Sequence, residues 1–339
     1  MKNLHAVSFA ALGDEDEIVA FIGAYWKPDH ILARNREVFR QQYLQDGRLQ
    51  FVIARSCADR AIHGILGFVL YSDGAACRDC FTALWRVVEG NGDPMLGLKL
   101  VNFLERELKA RSVSGLGANP KTLPLWEFMG YRTGCMDQYY MLNQHVSDFR
   151  IALVPETRRS AVRGRSDVGC VLRELPGFSA FGKAFDAEEH RETLPFKDAS
   201  YIRKRYYEYP FYSYSLYGVE KDSAIRTVLV TRSIRVENAV CLRIVDLLGQ
   251  PAGLSFAGGA LRRLMEEKGY EYIDFLVSGV DDEIMSAAGF TLLDPRSDVV
   301  IPHYFEPFER KNRKVHFFTS YQGTIRLCKA DGDQDRPNA

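Results

Sequence analysis

Apolar residues along the first part of the chain recur with two alternating periods, and each switch marks an element. Ile18, Phe21 and Ile22 share one face of a short helix over 14–25, and a second helix is expected over 34–43. The runs LQFVIARS (49–56), IHGILGFVLYS (62–72) and FTALWRVVEG (81–90) are rich in β-branched and aromatic residues and predict strands. After the turn NGDP, residues Leu96, Leu100, Phe103, Leu104 and Leu108 fall at i, i+4, i+7, i+8 and i+12, one stripe of an amphipathic helix. SVSGLGAN is then a short strand, LPLWEFMG a helix and CMDQYYML a strand that closes this half.

The second half repeats the order. VLREL (171–175), SYSLYGVE, RTVLVTRSIRV and CLRIVDLLG (241–249) predict strands, and a helix follows with Ala257, Leu261, Leu264 and Met265 on one stripe. YEYIDFLVS, DDEIMSAAGF and TLLD continue as strand, helix end and strand. Gly90 and Gly130 stand 40 residues apart, as do Gly249 and Gly289, with Tyr131 and Phe290 after the later glycines. This spacing is a weak internal repeat of one supersecondary unit. Between the halves, VSDFRIALVPETRRSAVRGRSDVG lacks either period and has linker chemistry. The expected organisation is a domain over 1–147, a linker over 148–168, a second and more divergent domain over 169–325, and a polar tail over 326–339. The fold class is α/β, each domain a mixed, mostly antiparallel twisted sheet flanked by helices.

Composition narrows the function. With 339 residues, two domains of ordinary size are expected, and 46% hydrophobic residues supply two cores. Lys+Arg and Asp+Glu both number 44, which argues against a dedicated nucleic-acid binder. The N-terminal apolar run is broken by His5 and followed by acids, and no stretch reaches the length of a membrane helix. A cytoplasmic location with reduced thiols is expected. Cys77 and Cys80 form a lone CxxC without a second pair of zinc ligands, so no metal is expected.

Two segments carry candidate chemistry. NGDPMLG (91–97) is a turn of small residues entering a helix, where free N–H groups and the helix dipole suit a pyrophosphate. The second segment is Asn-Pro-Lys-Thr-Leu-Pro-Leu-Trp-Glu-Phe-Met-Gly-Tyr over 119–131. It resembles the GNAT acetyltransferase pattern of Asn after a strand, a helix bearing Leu-Tyr, then Gly and an aromatic residue. Asn119, Leu125, Gly130 and Tyr131 fall at the family spacing. WKPDHIL (26–32), HGILGF (63–68), ALWRV (83–87) and the C-terminal KADGDQDRPN (329–338) resemble GNAT proteins encoded among bacterial surface-polysaccharide genes.

The resemblance implies a direct attack of an amine on the thioester of acetyl-CoA or another acyl-CoA, without a covalent enzyme intermediate. Backbone around Trp85, Val87 and Val88 would bind the pantetheine and the carbonyl oxygen. Gly92, Met95, Leu96 and Gly97 would bind the pyrophosphate, with Asn119 and Trp126 alongside. The sequence departs from the family at Met95, where a loop glycine is usual, and at Pro94, which removes a donor. It departs again at Trp126, whose indole stands where a tyrosine usually protonates the thiolate. The corresponding positions of the second half are Met285 and, for the Asn, Ser278.

Candidate catalytic groups are Glu89 as general base, Tyr139 on the closing strand, and His30 as a proton relay. His63, Arg205 and Tyr212 are candidate substrate-binding residues, the last two from an Arg- and Tyr-rich run (203–217) suited to stacking on a sugar or base and holding a diphosphate. The expected acceptor is a small-molecule amine, an amino sugar linked to a nucleotide, and a second copy of the chain is the candidate protein partner. Two other readings stay open: an aminoacyl transferase of the Fem type, and a non-catalytic GNAT-fold protein that binds a ligand or partner.

Overall fold

The computed structural model describes residues 4–72, 78–159 and 169–337. In the first half the elements are β1 (His5–Phe9), α1 (Glu15–Tyr25), α2 (Ile31–Arg34), α3 (Arg36–Tyr43), β2 (Phe51–Ser56), β3 (Ile62–Leu70), β4 (Asp79–Val87), α4 (Leu96–Leu108), β5 (Ser112–Leu116), α5 (Leu123–Phe128), β6 (Arg132–Cys135) and β7 (Asp137–Leu142). Local chemistry fixes several ends. Glu15, Asp16 and Glu17 sit in the first turn of α1, where the helix dipole favours acids. The Asn35 side chain accepts from the N–H groups of Glu37 and Val38 at 3.0 and 3.1 Å and starts α3 two residues later than expected.

The second half contributes β8 (Cys170–Glu174), α6 (Phe178–Ala184), α7 (Ala199–Ile202), β9 (Ser215–Lys221), β10 (Ala224–Val236), β11 (Ala239–Gly249), α8 (Gly258–Lys268), β12 (Tyr272–Ser278), α9 (Asp282–Ala287), β13 (Thr291–Leu292), β14 (His316–Thr319) and β15 (Leu327–Cys328). The repeat is real in backbone geometry. Gly130 and Gly289 both have φ near +85°, and Tyr131 and Phe290 donate their N–H groups to Trp126 and Met285 at 3.0 Å in both cases. Each glycine ends its helix in the left-handed region that a side chain disfavours.

The mixed α/β class and two helix-flanked sheets follow the expected order of elements, and the pairing departs from it. The first sheet runs β1-β2-β3-β4-β5-β14-β6, and the second β8-β9-β10-β11-β12-β7-β13, with β15 on β12. The segment read as the strand closing the first half, CMDQYYML, is β7, and a further strand, β6, precedes it. β6 stays in the first sheet, but β7 leaves it and pairs with β12 over six residues. In return β14, from near the C-terminus, enters the first sheet between β5 and β6. Each sheet thus borrows a strand from the other half.

Two further expectations change. Within the expected tail, the described residues 326–337 are packed: Ala330 and Asp331 are fully buried and Asp335 is 2% exposed. Its acids meet cations from elsewhere in the chain, Lys197 at Asp331 and Arg232 at Asp335, which makes their burial tolerable. Within 148–168, Ile151 and Ala152 are buried and Leu153 bridges Val300, so this part is packed. Residues 160–168, with Arg163 and Arg165, and Cys77 of the CxxC pair lie outside the described residues. Among the described residues no helix is long and apolar enough to cross a membrane, and no group of three His, Cys, Asp or Glu is placed to hold a metal.

Candidate functional site

The first half holds a splay between two parallel strands. β4 and β5 pair over three residues, ending at Phe81 opposite Ser114. A register shift against β3 lies between Leu66 and Phe68, where Thr82 to Trp85 bulge. Beyond it β4 pairs with β3 alone as far as Val87. In the gap so formed, past Phe81, β4 has no strand partner on its β5 side among the described residues.

Aromatic side chains line this gap. Trp126, 2% exposed, stacks on Phe318 of the borrowed strand β14, with ring centroids 3.6 Å apart and planes at 11°. Trp85 approaches Trp126 at 5.0 Å. Its indole N–H donates to the Gly97 carbonyl at 3.2 Å, and a Cβ at Gly97 would stand 3.2 Å from the same ring. Trp85, Leu96, Gly97 and Trp126 therefore form one group, with half-buried Val87 beside them.

The loop into α4 is held by its own polar groups. Gly92 takes φ +79°, and the Asn91 side chain ties Val88 O to Asp93 N. Asp93 accepts from Met95 N at 3.1 Å and from Lys99 Nζ at 2.6 Å. The Lys99 hydrogen bond holds the Asp93 carboxyl below its usual range. A carboxylate thus already stands at the start of α4, where a pyrophosphate was expected. Met95 is exposed. His5 lies 3.8 Å from Asp93 and shares a 3.0 Å hydrogen bond with His63, whose carbonyl accepts from Val88 N. Burial, then the neighbouring His63, lowers the His5 pKa.

A second splay lies in the other sheet. β11 and β12 pair in parallel over three residues, Leu242–Ile244 with Ile273–Phe275. Beyond that point the chain's own C-terminal segment enters the gap. β15 pairs with Val277 and Ser278, and Ala330 N donates to Val245 O at 2.8 Å. Lys197 Nζ bridges Asp246 at 2.6 Å and Asp331 at 2.7 Å, and the Tyr206 hydroxyl donates to Asp246. Burial alone would raise the Asp246 carboxyl, but the Lys197 ammonium overrides it and holds it low, whereas burial pushes Asp331 up.

Several expected site residues lie elsewhere. Glu89 is exposed and pairs with Arg86 at 3.5 Å, because it lies in the turn beyond the end of β4. Tyr139 travels with β7 into the second sheet, where its hydroxyl donates to Asp282. Asn119 caps the turn before α5 by accepting from Lys121 N. His30 caps α2 through Nδ1 and meets Arg336 at 3.3 Å through Nε2. Arg205 is buried, donating to the Tyr214 hydroxyl at 2.9 Å and the Asp335 carbonyl at 2.6 Å, so its charge serves the C-terminal segment. One side of it borders a cavity of about 170 Å³ between α3 and α7. Tyr212 donates to Glu306 at 2.7 Å and carries the Arg232 guanidinium 4.0 Å from its ring. Sequence reasoning passed over Lys197, Arg232, Asp246 and His303, and took Lys329 only as part of the run that resembles GNAT proteins. The pattern D-x-D-x-D at 331–335 was the available signal, since acids that close together need cations when buried.

Comparison with solved structures places this architecture. A GCN5-related N-acetyltransferase from Anabaena variabilis superposes with a TM-score of 0.56 at 9% identity, over 93% of this chain and 72% of that one. The fold is that of the GNAT acetyltransferases. A GCN5-related N-acetyltransferase from Kribbella flavida gives 0.53 at 11% identity, over 93% and 70% of the two chains. A conserved protein of unknown function from Enterococcus faecalis, described as a probable N-acyltransferase, gives 0.57 at 8%, over 94% and 72%. No family model matches the sequence. No curated protein matches it either. The strand splay is the GNAT-fold feature on which the functional reading rests.

Proposed function

We propose that this chain is an N-acyltransferase that takes an acyl-CoA donor along the β4 edge of the first splay and passes the acyl group to a small-molecule amine. The amine expected is that of a nucleotide-linked amino sugar for a surface polysaccharide. The supporting observation is the end of the β4–β5 ladder at Phe81–Ser114, which leaves β4 paired on one side beyond the bulge. A free strand edge offers N–H groups to a thioester carbonyl and to pantetheine amides. The amine nitrogen forms a bond to the acyl carbon, the carbon–sulfur bond breaks, and the thiolate takes up a proton. The ammonium proton must first leave. The hydrogen-bonded His63–His5 imidazoles at the end of β4 are acceptors of the right kind, and the exposed Glu89 is a poorer one.

On this reading the donor must displace Trp85 from Gly97, because the indole covers the loop that would meet the pyrophosphate. Acetyl-CoA titration with tryptophan fluorescence as readout tests it, in a Trp26→Phe background that leaves Trp85 and Trp126. Saturable quenching, followed by thiol release with an amino-sugar panel, is expected. Absence of quenching sinks the reading. Quenching without thiol release would favour a non-catalytic binding protein. That second reading is supported by Trp126, which has no hydroxyl to give a leaving thiolate, and by Asp93 at the start of α4.

A further inference from the structure

A second cavity, of about 120 Å³, lies among the β10–β11 ladder, the 304–309 hairpin and the C-terminal segment, with Tyr212, Arg232, His303, Glu306, Lys329 and Arg336 among its walls. Arg232 and Arg243 are cross-strand partners, so two guanidinium groups enter from one sheet face. Arg243 is spent: it grips Asp274 at 2.7 and 3.0 Å and donates to the carbonyls of Pro302 and His303. Its neighbours are not. The Arg232 Nη2 serves Asp335 at 2.7 Å, but its Nε is buried without a partner. His303 is 3% exposed and neither ring nitrogen has a partner. Lys329 is 6% exposed, and the only contact of its ammonium among the described residues is the Tyr304 ring at 5.6 Å.

Burial, reinforced by Arg243, pushes the Lys329 amine down to about 8, and the nearby Asp335 carboxylate, which makes no hydrogen bond to it, offsets only part of that shift. Three carboxylates share the cavity wall, each bonded to a donor other than Lys329: Glu306 accepts from Tyr212, Asp333 from Arg336, and Asp335 from Arg232 and Tyr214. Buried donors without acceptors are uncommon and costly. Water in the cavity would meet the hydrogen bonds but not the charge. A cationic ligand would be repelled, and a neutral sugar would leave Lys329 only partly balanced. One chemical class answers both needs.

We infer that this cavity binds a small oxyanion group, a phosphate or a carboxylate, between Lys329, His303 and the free edge of Arg232. An oxyanion supplies the negative charge and several acceptor oxygens at once. The room available accommodates a few waters' worth of volume, which suits one such group. This site is independent of the acyl-transfer reading. An anion response without any acetyl-CoA response would uphold the site and count against that reading.

The test uses the full chain, with inorganic phosphate and acetate as separate probes in thermal-shift and calorimetric titrations, and uridine monophosphate as a third. Saturable stabilisation by phosphate or acetate is expected, and whichever binds tighter identifies the group; a larger response to the monophosphate than to free phosphate identifies a phosphoester. Lys329→Met should unfold at higher urea than the parent without anion, because it removes a buried charge that is only partly balanced, and should lose the anion response at least ten-fold. Lys329→Arg should retain it, and His303→Phe should weaken it. No response of the parent chain to any probe, or an undiminished response in Lys329→Met, would overturn the assignment.

Discussion

The two splays share one backbone plan and differ in what fills them. Each begins with a parallel ladder of three residue pairs, and each is followed by a helix and a glycine with φ near +85°. In the first, the gap holds the side chains of Trp85 and Trp126 against Phe318. In the second, it holds main chain: β15 is laddered to β12, Ala330 is bonded to Val245, and Lys197 locks Asp331 to Asp246. Side chains leave a gap by rotating about χ angles. A hydrogen-bonded strand leaves only by breaking its ladder and exposing three buried charges, at a cost of several kcal/mol. The contrast teaches that the second splay is closed by main chain and the first by side chains alone, which is why the proposed function uses the first.

The strongest way to break this contrast is to unlock the second splay. Lys197→Met strands two buried carboxylates and should cost about 3–5 kcal/mol in urea unfolding. A loss below about 1 kcal/mol would mean that the cluster does not lock the gap. Opening the first splay is expected to be milder and to carry a functional gain. Trp85→Ala should cost about 1–3 kcal/mol yet tighten acetyl-CoA binding roughly ten-fold, since the donor no longer has to displace the indole. Weaker binding would show that the indole contacts the donor instead.

A third prediction concerns the seam where the C-terminal segment meets the first half. Burial, then the Arg336 charge, lowers the His30 pKa to about 4, from an ordinary value of 6.5. Between these values the unfolded chain takes up a proton that the native chain refuses. Stability is therefore complete above about pH 6.5 and falls as the pH drops toward 4. His30→Gln should flatten that part of the pH profile of the unfolding midpoint. The smallest effect is expected for Glu89→Gln. Its exposed side chain and 3.5 Å surface pair predict unchanged acetyl-CoA affinity and turnover. A large drop in turnover would return Glu89 to the active site.

Much of the local structure was legible because it depends on local patterning. The stripe from Leu96 to Leu108 gave α4 at its observed bounds, and the glycines at 130 and 289 marked equivalent helix ends. The gathering of Trp85, Leu96, Gly97 and Trp126 was implied by the GNAT resemblance rather than by any local period. The strand exchange was not, because nothing within Asp137–Leu142 states which sheet will pair with it. Register is set by partners more than 100 residues away, such as Phe275 opposite Tyr139. The buried C-terminal acids were hidden for a related reason. Their solvation is replaced by Lys197, Arg205 and Arg232, which no local reading connects to them. His303 carries no period or motif, and it becomes notable only when its missing partners are seen in three dimensions.

Hydrogen–deuterium exchange with and without acetyl-CoA tests most directly whether the first splay alone receives the donor. New protection confined to residues 82–97 and 112–126, with 241–260 and 327–331 unchanged, is the expected result. Protection in the second splay, or none in the first at saturating acetyl-CoA, would contradict it.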